Sequence, residues 1–485
     1  MNQLLTLEPK SLWKYFYELT QIPRPSKHEE NVRQYVVEFG KQHGLSTVVD
    51  EIGNVIISKP ATPGMETRQG VVLQAHLDMV PQKNEDTAHD FLNDPLKPFV
   101  DGDWVKAEGT TLGADNGIGV AAALAILASK EIKHGPVEAL FTIDEETGMT
   151  GAFELKPGVL KGDILLNMDS EDEGELYIGC AGGTNANAKI RFQGTSAPAG
   201  HDTFRLTVKG LKGGHSGLDI PLGRGNSNKI LNRLMWVAAK EIGLRLASIS
   251  GGSLRNAIPR ESFAIVGIPS AKKETFISYV KAFTEIVKKE LSAVEPDLVI
   301  LVEPTDAPAV WIDETTQHKL LNAIYACPNG VIRMSNEMPG LVETSTNLAI
   351  VKSENGEIGV QCLLRSSVDS AKLDLEQMIR SVFELAGAEI FFDGQYQGWK
   401  PNPESAILKT MQKVYQEKFG KIPEIRAIHA GLECGILGGA YPNWDMISFG
   451  PTIRFPHSPD EKVNIKTVEK FWDFLVETLK NIPEK

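Results

Sequence analysis

Residues 71–80 read VVLQAHLDMV. Apolar, β-branched residues dominate the first half, as in a strand buried on both faces. His76 and Asp78 stand at its carboxyl end. The pattern recurs along the chain. VEALFTIDEETG (137–148) carries Asp144, Glu145 and Glu146 after its apolar run, DILLNMDS (163–170) carries Asp169, and DMISFGPTI (445–453) leads into FPHSPDE (455–461) with His457. TLGADNG (111–117) opens a stretch dense in Ala and Gly, which predicts a helix over 115–130 packed closely on a sheet. Continuous apolar strands alternating with helices predict an α/β fold with a parallel sheet, and such sheets carry their sites at the carboxyl ends of the strands.

Outward from these runs, the chain divides. Its 485 residues exceed what one hydrophobic core usually supports. A helix is predicted over 11–20, stopped by Pro23 and Pro25, and a second follows within SKHEENVRQYVVEFGKQHG, with Ser26 as its cap and Glu29 three residues on. VVDEIGNVIISKP (48–60) reads as a hairpin. After about residue 186 the strands alternate, and the order becomes β-α-β-β-α-β. A second such run is predicted from helix 316–325, strands 342–351 and 358–366, helix 373–387 and the strand EIFFDG. The expected organisation is a catalytic domain over 1–186 and 397–485, interrupted by an inserted domain over 187–396. A discontinuous first domain is what brings His457 beside residues 76–169.

Composition narrows the function. With 63 acidic and 50 basic residues the net charge is -13, which excludes the basic footprint of a general nucleic-acid binder. No apolar stretch approaches the roughly 20 residues of a membrane span. The N-terminal MNQLLTLEPKSLWKYFYELTQIP contains acids and no long apolar core, so it reads as a helix start rather than a signal peptide. Cys180, Cys327, Cys362 and Cys434 lack paired spacing, so no disulfide scaffold is expected. The expected location is the cytoplasm.

His76, Asp115, Glu146, Asp169 and His457 together form a donor set for transition metals such as zinc, cobalt or manganese. Any one of them alone would be a solvated strand end or a surface turn. Adjacent acids after buried strands are costly unless metals or donors neutralise them. The expected arrangement places His76 and Asp169 on one ion, Glu146 and His457 on the other, and Asp115 between them, oriented by free N–H groups at the helix start. Asp78 is expected to hold the far nitrogen of His76. Glu145, next to the ligand Glu146, is the expected general base for a water shared by two ions.

HLDMV, TLGADNGIG, DEETGM, NMDSEDEGE, GGHSG, LRNAIPRE, HAGLECG and FPHSPDE resemble, in order and over nearly the whole chain, the motifs of the M20 metallopeptidase family. The resemblance implies a zinc-peptidase-like three-layer α/β catalytic domain with an inserted two-lobed α+β lid. It also implies two zinc ions held by the five residues above, replaceable by cobalt or manganese, and catalytic roles for Asp78 and Glu145. Asp169, where some relatives have glutamate, matches the dipeptidase branch. In the lid, His215 matches the histidine that reaches the substrate carbonyl oxygen, while Asn256 and Arg365 match groups that hold the substrate's terminal carboxylate. Glu433 is a candidate for the free amine or for ordering the site. The implied reaction is hydrolysis of dipeptides with free termini, including Xaa-His. An N-acyl-amino-acid deacylase, a tripeptide-selective aminopeptidase and a noncatalytic peptide binder are the rival readings. Relatives are often dimers joined through their lids, so a homodimer is expected, with His215 acting in its own chain or in its partner's.

Overall fold

The structure, a computed structural model, describes residues 3–485; Met1 and Asn2, which begin the N-terminal stretch read above, lie outside the described residues. Two compact units are present. One comprises Met1–Cys180, Pro401–Ala427 and Leu432–Lys485; the other comprises Ala181–Lys400 and Ile428–Gly431.

The first unit is built on an eight-stranded sheet. Four neighbouring strands at its centre are parallel: Val137–Thr142, Val71–His76, Ile164–Asn167 and Asp445–Ser448. The register aligns His76 with Thr142, Gln74 with Asn167, and Asn167 with Ser448. The residues that follow each strand therefore emerge along one edge. Val71–His76 and Ile164–Asn167 are buried throughout, as their composition predicts. Antiparallel strands Ser46–Val49 and Val55–Lys59 form the hairpin read from VVDEIGNVIISKP.

Helix Ala114–Ala128 is buried nearly all round. Gly119 shows why small residues fill it: a Cβ there would lie 2.8 Å from the carbonyl oxygen of Met168, the residue before Asp169. The absence of a side chain lets the helix settle against the strand end.

Two local expectations are corrected. Ser26 does not cap the second helix, which spans Glu30–Gln42 without a side-chain cap. It lies three residues ahead of the N-cap position, Glu29, and its hydroxyl instead donates to Asp78 Oδ2 at 2.8 Å. Asp115 and Asn116 also depart from helical geometry, and the peptide joining them is cis. The N–H groups at this helix start do not orient the Asp115 carboxylate; they are taken by Glu461.

The second unit contains a nine-stranded sheet, in which helices Ser227–Glu241 and Lys273–Glu290 belong to the first β-α-β-β-α-β run and Glu314–Ala326 and Asp369–Leu385 to the second. The runs are joined where Ser250 and Gly251 pair with Lys352 and Val351. One apolar cluster spans both, with Leu234 and Phe276 from the first run and Ile324 and Ile379 from the second. The two lobes thus share a sheet and a core. Strand Gly182–Arg191, unassigned from sequence, pairs with both Glu357–Ser366 and Glu389–Tyr396.

Replacing Gly119 by valine should destabilise the first unit by about 1–3 kcal/mol, the range for overpacking a close-packed core. Urea denaturation should register this as a lower midpoint with an unchanged slope.

Candidate metal centre

His76 ends its strand at 1 % exposure, and its two ring nitrogens face different groups. Nδ1 lies 3.2 Å from the Asp78 carbonyl oxygen and 3.4 Å from Asp78 Oδ1. Both are acceptors, as are the carboxylate oxygens beside the other nitrogen; a cation on Nε2 would leave the ring proton on Nδ1, facing Asp78. Nε2 is left facing Asp115 Oδ1 at 3.1 Å and Asp169 Oδ1 at 3.3 Å. On the other side, His457 Nε2 lies 3.3 Å from Asp115 Oδ2 and 2.9 Å from Glu146 Oε2. Each oxygen of Asp115 thus addresses a separate histidine–carboxylate pair.

The donor set fits divalent cations. His76, Asp115 and Asp169 form one group whose ligand atoms lie within 4.8 Å of one another, and Asp115, Glu146 and His457 form another. Glu145 has an oxygen within the same reach of His76 and Glu146. Glu146 Oε1 is buried without a hydrogen-bond partner, as an oxygen awaiting a cation would be. A further acidic group, Glu29, Asp78 and Asp144, is already satisfied by donors. Glu29 accepts from the N–H of Lys27 and Asp144, Asp78 from the N–H of Glu145 and Glu146, and Asp144 from the hydroxyls of Thr147 and Thr150.

Electrostatics point the same way. Burial pushes Asp169 up to about 7, the Asp115 and Glu146 charges adding to it and His76 opposing. Hydrogen bonds with Asp115 and Glu146 push His457 up to about 11. His76 is also raised, because Asp169, Asp115 and Asp78 outweigh its burial. Glu145 lies well above the usual carboxylate range, chiefly through burial. The cluster holds more negative charge than its two imidazoles can balance, and positive ions relieve that excess. Asp78 goes the other way. Despite burial it falls to about 2, held down by His76, the N–H of Glu145 and the Ser26 hydroxyl.

Three buried groups that sequence reasoning left without a settled role surround this cluster. The Arg24 guanidinium donates to the carbonyls of Leu77, Asp78 and Gly113. Glu461 accepts from four main-chain N–H groups, Leu112 to Asp115. Its only sequence signal was its place at the end of FPHSPDE. Glu433 accepts from Gln74 at 2.6 Å and Thr142 at 3.0 Å, which ties it to the strand ends. Burial pushes it up to about 8.

The second unit gathers the lid residues. His215 Nδ1 accepts from the N–H of Gly217 at 3.2 Å and Leu218 at 3.0 Å. The proton therefore resides on Nε2, which is left as a donor. Burial, with the Arg365 charge, lowers the His215 pKa and keeps the ring neutral at pH 7. The Asn256 carbonyl accepts from the Ser216 N–H, placing exposed Asn256 beside the same loop. Gly217 is forced: a Cβ would collide with the His429 carbonyl oxygen, and Arg365 Cδ would lie 3.2 Å away. Arg365 is 6 % exposed, donates to the Tyr396 hydroxyl at 3.0 Å, has an unpartnered Nε, and makes no ion pair with a carboxylate among the described residues. The planar donor fork of such a guanidinium matches the geometry of a carboxylate.

The model of Peptidase family M20/M25/M40 matches residues 72–481. The chain belongs to this family. It is accordingly a metallopeptidase. It is 48 % identical, over all 485 residues and the whole of both chains, to the cytosol non-specific dipeptidase of Escherichia coli (strain K12). Among solved structures, the aminoacylhistidine dipeptidase from Vibrio alginolyticus matches with a TM-score of 0.96 and 54 % identity, covering 100 % of this chain and 99 % of that one. The aminopeptidase PepT from Bacillus cereus matches at a TM-score of 0.59 with 15 % identity, covering 98 % of this chain and 99 % of that one, a likeness of fold alone. No helix of the described residues is long and apolar enough to cross a membrane.

His429 provides a pH test of the second unit. Its Nε2 lies 2.7 Å from the Ser345 hydroxyl, and burial, followed by the Arg365 charge, pushes its pKa down to about 3 from 6.5. Between these values the unfolded chain binds a proton that the fold refuses, so stability is present above about pH 6.5 and is lost as pH falls through the window. His429→Gln should make the decline of Tm between pH 6.5 and 5 shallower than in the wild type, as read by differential scanning calorimetry.

Proposed function

We propose that this chain hydrolyses dipeptides bearing free termini, Xaa-His among them, with two zinc ions held by His76, Asp115, Glu146, Asp169 and His457. The observation that carries this reading is the Asp115 carboxylate, whose two oxygens address separate histidine–carboxylate pairs. Full-length similarity to two proteins named as dipeptidases supports the substrate class. Cobalt and manganese suit the same donors.

Bound ions would supply Lewis acidity to the peptide carbonyl and lower the pKa of water. The chain supplies the rest. Asp78 fixes the His76 tautomer so that Nε2 is free to coordinate. Glu145, with an oxygen within ligand reach of His76 and Glu146, is assigned as the general base that takes a proton from water and passes it to the leaving amine. His215 Nε2–H is assigned to the carbonyl oxygen, whose developing charge a neutral, pre-oriented donor stabilises. Arg365, with Asn256, is assigned to the terminal carboxylate, which matches the planar fork of a guanidinium. Glu433 is assigned to ordering the strand ends. A homodimer in the cytosol is the proposed setting, the location following the name of the Escherichia coli relative.

Steady-state hydrolysis of Ala-His, N-acetyl-Ala-His and Ala-Ala-His tests the reading. Cleavage confined to Ala-His, abolished by a chelator and restored by zinc, is the expected result. Preference for the acetylated compound would replace it with a deacylase, and preference for Ala-Ala-His with a tripeptide-selective aminopeptidase.

Glu145→Gln should lower kcat by about 10²–10⁴-fold while both ions remain bound. Elemental analysis of the same sample checks the second half. Near-normal turnover with full metal content would overturn the assignment.

A further inference from the structure

Glu461 closes the motif that carries His457, yet its carboxylate points into the turn that carries Asp115. At 2 % exposure, Oε2 accepts from the N–H of Leu112 at 2.8 Å and Gly113 at 2.9 Å, and Oε1 from Ala114 at 2.7 Å and Asp115 at 3.2 Å. A helix start leaves about four N–H groups without intrahelical partners. Here one carboxylate takes four consecutive N–H groups of that turn. Only an ionised acid offers two oxygens that are acceptors throughout; glutamine would turn an NH₂ toward some of these donors.

The opposite side of the turn is held by a cation. Arg24, 1 % exposed, donates through Nη2 to the Gly113 carbonyl at 2.5 Å, and through Nη1 to the carbonyls of Leu77 at 2.8 Å and Asp78 at 2.9 Å. The turn is thus gripped by a carboxyl group on its N–H side and a guanidinium on its C=O side. The same Arg24 holds the end of the His76 strand. Glu461, four residues after His457, holds the turn to the loop that supplies the other histidine.

We infer that Glu461 is a positioning residue: it sets the rotation of Asp115 that lets one oxygen face His76 and Asp169 and the other face His457 and Glu146, and so makes the second ion site. This rests on the two-ion reading above. The pair formed with His457 depends on it more, because Glu461 connects the His457 loop to Asp115, whereas His76 is held independently by Arg24 and Asp78.

The test is zinc titration of the metal-free wild type and Glu461→Gln against a chromophoric chelator, with Tm measured for the metal-free and zinc-loaded forms of each. The wild type is expected to take up two ions. In the variant the first should bind within a few-fold of wild type, and the second about 10–100-fold more weakly, the usual effect of losing a group that orients a ligand. The rise in Tm on zinc loading should shrink, and kcat should fall with little change in KM. Glu461→Asp keeps the charge at shorter reach and should restore part of the second affinity; it gives the same reading if the glutamine variant does not fold. Wild-type affinity for both ions overturns the inference, even with an equal fall of Tm in both forms, because a purely structural role would produce that pattern. A wild type that takes up fewer than two ions overturns the two-ion reading itself.

Discussion

More carboxylates than cations gather at the carboxyl ends of four parallel strands, and the first unit depends on how that charge is disposed of. Some acids are neutralised by the chain's own donors. Asp78 takes two N–H groups and the Ser26 hydroxyl, Asp144 two threonine hydroxyls, Glu433 the Gln74 amide and Thr142 hydroxyl, and Glu461 four N–H groups. Asp115, Glu146 and Asp169 instead face the two histidines and, across them, one another, Asp169 also accepting from the Asn116 amide. Buried charge is costly unless it is paired, so hydrogen bonding sorts the acids into those that build the frame and those left for cations.

The frame also accounts for the packing around it. Alanine and glycine in Ala114–Ala128 bring the helix against the strand that ends in Asp169, and Arg24 stitches three carbonyls from two segments. None of these groups faces solvent. They hold main chain, and the main chain aims the acids. The second unit has the opposite chemistry. Its candidate groups are donors: a neutral His215 with its proton on Nε2, and an Arg365 guanidinium with no carboxylate partner among the described residues. A peptide carries a carbonyl oxygen and a carboxylate, which are the acceptors such groups suit.

Strands dominated by apolar residues were legible, because burial on both faces leaves a nearly continuous hydrophobic run. Val71–His76, Val137–Thr142 and Ile164–Asn167 are of this kind. Gly182–Arg191 was not: GGTNANAKIR buries alanine and asparagine beside its single isoleucine, and only its two flanking strands make it a strand. Ser26 showed the limit of local motifs. A capping-box spacing was present, but the N-cap position of the helix lies three residues past Ser26, whose hydroxyl donates instead to Asp78, distant in the chain.

The residue types at the metal centre, and their places after apolar runs, could be read directly, because side-chain chemistry and strand burial are local properties written in composition. Which oxygen of Asp115 faces which histidine, which groups flank each nitrogen of His76, and that Glu461 and Arg24 clamp the turn at 112–115 emerged only with the folded chain. Those facts depend on main-chain N–H and C=O groups, which every residue possesses alike, brought together from positions up to 349 apart in the chain. A donor or acceptor with no identity of its own leaves no mark in a sequence until folding gives it a direction.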